Sequence, residues 1–285
     1  MGRLNWRPLH SVDRGRLSEG RRQTHHAVQW LARAARAYVP PRSDDSHTNL
    51  GWDDKLDGFA THLLKDDVRL GLKIADLTLV LHGEGPERTQ AFPLSGCSDP
   101  AARKWLGERL GAIGLDESRL DMPSPYKIPE HAIAGGVVYY EAVGRGDVLV
   151  ELAAWFSNAN HALNGIREDM IGRKFTASPV RCWPHHFDLA TLISLDPGHD
   201  GKARSVNAGL SPGDEYYDEP YFYVSPHPYP DAASLPCLPK LGHWHTRDFT
   251  AAIASSSQIL RAKDGMVETE AFLRDAIEAA IKALG

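Results

Sequence analysis

Two adjacent histidines and an aspartate fall inside the stretch CWPHHFDLA (182–190), and a second histidine pair, His243 and His245, flanks Trp244 farther along the chain. On an extended chain, Trp183, His185, Phe187 and Leu189 point one way, and Pro184, His186, Asp188 and Ala190 the other. His186 and Asp188 then share a face of otherwise small residues. That pairing suits either a metal pair or a carboxylate-oriented imidazole acting as a base. The same two groups would also serve to satisfy buried backbone. On a second expected strand, His243 and His245 project from one face, which is how two imidazoles at this spacing reach a single metal ion.

The stretch SPGDEYYDEPYFYVSPHP (211–228) is the most unusual in the chain. Ser211-Pro212-Gly213 supplies turn chemistry, and Asp214, Glu215, Asp218 and Glu219 follow as four carboxylates within six residues. A strand of alternating aromatics then opens at Pro220, with Tyr221 and Tyr223 on one face and Phe222 and Val224 on the other. Carboxylates at the mouth of an aromatic cavity are what small-molecule sites look like. An acidic turn leading into a core strand, its tyrosine hydroxyls finding partners, is the competing reading.

Together, His186, Asp188, Glu215 or Glu219, His243 and His245 would give a two-histidine, one-carboxylate iron site, or a histidine-rich zinc site open to water. The expected roles are His186, Asp188, Glu215 and Glu219 as catalytic groups and Tyr217, Tyr221, Tyr223, Trp244 and Trp52 as substrate contacts. His186, His243 and His245 are the expected ligands of a divalent zinc, iron or manganese ion. Trp52 belongs to a polar-aromatic cluster in the first half, with His47, Asn49 and Asp53, that would close the same cavity. No H-E-x-x-H, G-x-S-x-G, P-loop or dinucleotide-binding glycine motif is present.

These residues need elements to hold them. Apolar spacing predicts a first helix over 21–38, ended by Pro40 and Pro41. Strand-like segments follow at 58–64, 68–82 and 89–94, with a phase change near Ala75-Asp76 that marks a bulge or tight turn. Ser98-Asp99-Pro100 signals a second helix running to Gly114, and MPSPYKIP (122–129) is a proline-rich crossover. A long helix over 147–170 carries Val148, Leu152, Trp155, Phe156, Ala159, Leu163 and Ile166 on one face. Strands are expected at 179–195, 203–210, 221–225 and 243–253, and a closing helix at 264–284. Runs of strands bracketed by helices argue for α+β with mainly antiparallel sheet. The reading is one domain over 21–285, with 21–114 and 147–284 as candidate halves of a repeated helix–strands–helix order.

The chain has 285 residues, a formal charge of −5 and 24% charged residues, which places it among soluble globular proteins. That charge argues against broad nucleic-acid binding, which runs on clustered Lys and Arg. The one basic region is the N-terminus, where Arg3, Arg7, Arg14, Arg16, Arg21 and Arg22 face only Asp13 and Glu19; residues 1–20 read as a partly frayed arm. No apolar stretch is long enough to cross a bilayer, and the arm lacks a secretory h-region, so a cytoplasmic protein without membrane partners is expected. Cys97, Cys182 and Cys237 form no C-x-x-C pair and read as reduced thiols. Nothing in the pattern sets an oligomeric state.

Trp183 followed by Phe187-Asp188-Leu189-Ala190, then Ser211 to Tyr223, then Trp244-His245-Thr246, resembles a family of uncharacterised bacterial proteins catalogued as a domain of unknown function. The likeness takes in 122–129 and Pro179-Val180 and covers about 25–260. It carries no established activity. It implies that the positions of His185 and His186 accept small residues, which lowers a role for His185 and favours architectural roles for Asp188 and Glu219. The reading from the residues is an enzyme, metal-dependent or not, acting on a small molecule in an aromatic, acid- and histidine-lined pocket. The alternative is a non-catalytic small-molecule-binding or structural protein.

Overall fold

The computed structural model describes residues 6–83, 89–142, 144–196 and 203–285. They form an α+β fold whose sheets are antiparallel, as the element order requires. The chain divides into two compact units. One comprises 12–153 with 182–187, and the other 1–11, 154–181 and 188–285. The division falls inside a helix rather than between residues 114 and 147, so these units do not coincide with the halves 21–114 and 147–284.

In the first of these units, α1 (Arg14–Tyr38) starts seven residues before the expected 21. Asp13 caps it by accepting from the Arg16 amide at 2.8 Å, and the chain leaves it at Val39, before Pro40 and Pro41. Its Arg16 guanidinium grips both Asp147 oxygens at 2.7 Å, so the basic stretch is helix rather than frayed arm from residue 14 on. Residues 1–5, with Arg3, lie outside the described residues.

Five strands follow as an antiparallel meander in chain order: β1 (Gly51–Asp53), β2 (Gly58–Ala60), β3 (Arg69–Lys73), β4 (Thr78–His82) and β5 (Gln90–Pro93). Leu70, Leu72, Leu79 and Leu81 bury on this sheet. The phase change near Ala75-Asp76 is a tight turn in which Leu77 takes a left-handed φ of 51°. Ser98 caps α2 (Asp99–Ala112), with Pro100 inside its first turn. Residues 122–129 take no regular structure and run antiparallel along one face of α1. Pro129 O accepts from His26 Nε2 at 3.0 Å, the Tyr126 hydroxyl donates to Gln29 Oε1 at 3.0 Å, and Met122 O accepts from Arg36 Nη2 at 2.9 Å. Positions 26, 29, 33 and 36 recur at helical spacing, so this loop covers a single stripe of α1.

In the second unit the sheet order is β6 (Thr176–Ala177), β8 (Asp188–Asp196), β9 (Arg204–Ser211), β10 (Tyr221–His227), β12 (Ala251–Ser255) and β11 (His243–His245), all antiparallel. The last two strands leave chain order, so the two sheets share no common strand order. Trp155 of α3 (Gly146–Gly172) meets Phe222 of β10 with ring centroids 6.5 Å apart, both fully buried. After β12 the chain turns through α4 (Ser256–Ile259), and α5 (Gly265–Leu284), capped by Asp264, packs against β9, β10 and β12. The N-terminal stretch is tied down here too: Arg7 exchanges two backbone hydrogen bonds, at 2.8 and 3.0 Å, with the buried Asn158 side chain.

Two expected strands are each broken. The one over 179–195 becomes β7 (Arg181–Trp183) and β8, parted by a turn over 184–187 in which Phe187 has φ 59°. The one over 243–253 becomes β11 and β12, paired antiparallel with His243 opposite Ile253.

Candidate functional site

The turn at 184–187 removes the alternation on which a shared His186–Asp188 face depended. The His186 and Phe187 amides both donate to Trp183 O, at 3.1 and 2.7 Å, and the left-handed Phe187 redirects the chain before Asp188 begins β8. His186 belongs to one compact unit, and His243 and His245 to the other. Among the described residues no group of three or more His, Cys, Asp or Glu side chains is arranged to hold a metal ion. His186, His243 and His245, the expected ligands, form no such group.

The acidic and aromatic residues of the second unit are engaged with one another. Asp214 Oδ1 accepts the amides of Tyr216 and Tyr217 at 2.8 and 3.0 Å, and Oδ2 accepts the Tyr221 hydroxyl at 2.5 Å. Burial, then the Asp214 charge, drives the Tyr221 phenol upward. Tyr223 donates to Asp188 at 2.5 Å. Glu219 Oε2 accepts from the Ser256 hydroxyl at 2.6 Å and the Ser257 amide at 2.7 Å, and Oε1 from the Ser257 hydroxyl at 3.1 Å, so it pins the start of α4. Trp244 Nε1 donates to Pro236 O at 2.7 Å, and Glu215 is exposed. These contacts give Asp188, Glu219, Tyr221, Tyr223 and Trp244 structural work. His243 and His245 do meet at one point, the Tyr217 hydroxyl, 3.0 Å from each ring.

The polar-aromatic cluster of the first half is likewise mostly architectural. Trp52 Nε1 donates to Asp54 at 2.9 Å, Asp53 Oδ1 accepts two amides of its own turn, and Asn49 Oδ1 pairs with His62 Nε2 at 3.0 Å. His47 is different. It is buried, its Nδ1 accepts the Arg42 amide at 3.2 Å, and its Nε2 therefore carries the proton in the neutral ring.

His47 lines a cavity of about 340 Å³ with Tyr126, Trp183, His185, Asp45 and Arg36, within the range of small-molecule pockets. A second cavity, about 130 Å³, shares Arg36 and Tyr126 and adds Arg33, Gln29 and His26. Both lie where the 122–129 loop follows α1. Burial, with His186 close by, lowers the His185 pKa against a smaller opposing effect of Asp45. Burial pushes the Tyr126 phenol up to about 12.

Arg36 is the unusual member. Its Nε is buried with no hydrogen-bond partner, and among the described residues neither Arg36 nor Arg33 forms an ion pair. Burial lowers the Arg36 pKa, the direction expected of a desolvated cation. Asp99, which lines the smaller cavity, accepts at Oδ1 from Trp30 Nε1 at 3.0 Å and from the Tyr140 hydroxyl at 2.9 Å. Arg33 and Arg36 escape a sequence reading because two arginines three apart on a helix look like a solvated face. Only the loop laid over them shows otherwise.

Among the described residues no helix is long and apolar enough to cross a membrane. No family model, curated protein or solved structure matches the chain.

Proposed function

We propose that this protein binds a small planar organic acid between α1 and the 122–129 loop. The observation that carries the reading is Arg36: a half-buried guanidinium that lines both cavities and, among the described residues, forms no ion pair, although Asp44 and Asp45 line the larger cavity and Asp99 the smaller. An unpaired charge out of water is costly, and an anion delivered by a ligand would offset that cost. Arg33, three residues away on the same stripe, supplies a second cation. Tyr126, Trp183 and His185 offer aromatic faces to the body of the ligand, and the His47 Nε2 proton is left to donate.

A catalytic version of this reading assigns His185 as general base. No hydrogen bond engages either of its ring nitrogens among the described residues, and burial keeps it neutral at pH 7. Thermal-shift measurements with benzoate, phenylacetate, nicotinate and inorganic phosphate test the binding. A ligand of the folded state raises the melting temperature, by an amount equivalent to about 2.7 kcal/mol at a hundred times Kd. The planar acids should raise it in the native protein and not in Arg36→Met. Equal shifts in both proteins, or none with any acid, would remove the reading.

A further inference from the structure

We propose that Tyr217, His243 and His245 form a binding site for one divalent transition-metal ion, copper or zinc in class. The three donor atoms come from two separate segments, the 212–220 loop and β11. They meet at one point, with the Tyr217 oxygen 3.0 Å from His243 Nε2 and 3.0 Å from His245 Nδ1. The third donor is a phenol rather than the histidine or carboxylate that a sequence search for ligands looks for.

Proton positions in the metal-free cluster follow from the partners. His245 Nε2 lies 2.6 Å from Arg247 O, and a carbonyl only accepts, so Nε2 carries the ring proton. In the neutral ring His245 Nδ1 then presents a lone pair to Tyr217, whose single hydroxyl proton points there. The Tyr217 oxygen in turn accepts from His243 Nε2. A ligating histidine whose far nitrogen donates to a backbone carbonyl is the usual device that fixes tautomer and ring orientation at metal sites. Phe249 stacks on His245 with centroids 4.2 Å apart and an interplanar angle of 23°, and Tyr216 meets it edge-on at 5.4 Å. These rings hold the imidazole in place, while His243 stays exposed on the edge strand β11 and leaves an entry path.

Metal uptake balances as follows. The ion replaces the Tyr217 hydroxyl proton, which goes to solvent. The His243 ring proton moves from Nε2 to Nδ1, so both imidazoles donate lone pairs and one proton is released per ion. Two imidazoles with a phenolate favour copper(II) over zinc in the usual affinity order. Because one proton leaves for each ion taken up, binding should strengthen as pH rises.

The test uses the full chain, purified without a histidine tag, stripped with chelator and titrated with Cu²⁺ alone and with Zn²⁺ alone. Calorimetry in buffers of different ionisation enthalpy should show one ion bound and one proton released. With Cu²⁺ a phenolate-to-copper charge-transfer band should appear. His243→Ala and His245→Ala should each weaken binding by at least about tenfold, since even outer-shell losses cost that much. Tyr217→Phe should abolish both the band and the proton release. Absence of saturable one-to-one uptake would overturn the proposal, as would uptake unchanged in a protein lacking both histidines. A copper complex without the band would remove Tyr217 from it.

Discussion

Tyr223 on β10 reaches across Gly209 of β9 to donate its hydroxyl proton to Asp188 Oδ2 on β8, at 2.5 Å. The crossing exists because residue 209 has no side chain. A Cβ there would sit 2.6 Å from the Tyr223 Cζ and hydroxyl oxygen and 2.8 Å from the Leu189 carbonyl oxygen. Gly209→Ala should therefore cost ~1–3 kcal/mol of stability, the usual range for overpacking. Tyr223→Phe should cost about 1.5–3 kcal/mol through its charged partner. The two sites touch, so Gly209→Ala should cost less when Tyr223 is already alanine. Urea midpoints of Gly209→Ala, Tyr223→Ala and the double variant measure the coupling, and additivity within ~0.5 kcal/mol would refute the crossing.

Glu219 is expected to behave as a clamp. Glu219→Gln weakens three hydrogen bonds to Ser256 and Ser257 and should lower the urea midpoint by about 1–3 kcal/mol equivalent. It should leave the response to planar acids untouched. A variant of native stability that no longer responds to acids would return Glu219 to a functional role.

His25 makes stability depend on pH. Burial is the largest influence on it and, against the hydrogen bond to Pro184 O, lowers its pKa to about 4; the nearby His26, Arg21 and His186 act in the same direction. In the unfolded chain the imidazole titrates near 6.5, so the unfolded state takes up a proton first as pH falls. Stability present at neutral pH is then lost between about pH 6.5 and about pH 4, up to ~3 kcal/mol from this residue. His25→Gln keeps a donor for Pro184 and cannot titrate. Its melting temperature should fall less between pH 7 and pH 5 than that of the native protein. His26, His185 and His243, whose pKa values are also lowered, first of all by burial, contribute to the slope that remains. An unchanged slope would mean that His25 is not the group responsible.

Arg36 carries a cost in the absence of ligand. Replacing an unpaired, half-buried charge by an apolar side chain of similar length removes a desolvation penalty. Arg36→Met should therefore melt at the same temperature as the native protein or higher when no acid is present. A lower melting point, beyond the loss of the single bond to Met122 O, would show that the guanidinium already has what it needs.

The helices were legible where caps announce them. Ser98 and Asp264 start α2 and α5 where the sequence places them. Asp13 offers the same signal for α1, but the arginines after it read as a frayed arm. Periodicity found β3, β4 and β10. It failed at 184–187, where Cys182, Trp183, Phe187 and Leu189 keep a strand-like apolar pattern through a turn. That turn rests on a left-handed Phe187 and on Pro184 O, which accepts from His25 and Gln29 of α1. Such tertiary partners leave no local trace. The same applies to Arg33 and Arg36, which form no ion pair among the described residues and whose surroundings depend on where residues 122–129 lie. His243 and His245 were visible from spacing alone, and Tyr217 was read as a substrate contact, because its meeting with the histidines depends on tertiary placement of the loop before β10.

The central claim is that Arg36 holds the anion of a small acid. Isothermal titration of the full chain with the acid giving the largest thermal shift tests it most directly, comparing the native protein with Arg36→Met and Arg33→Met. The account predicts one-to-one binding in the native protein, weakened at least about tenfold by Arg36→Met, since a charge-assisted pair contributes about 1.5–3 kcal/mol. Arg33→Met should have an effect in the same direction. Native-like affinity in both variants would contradict it.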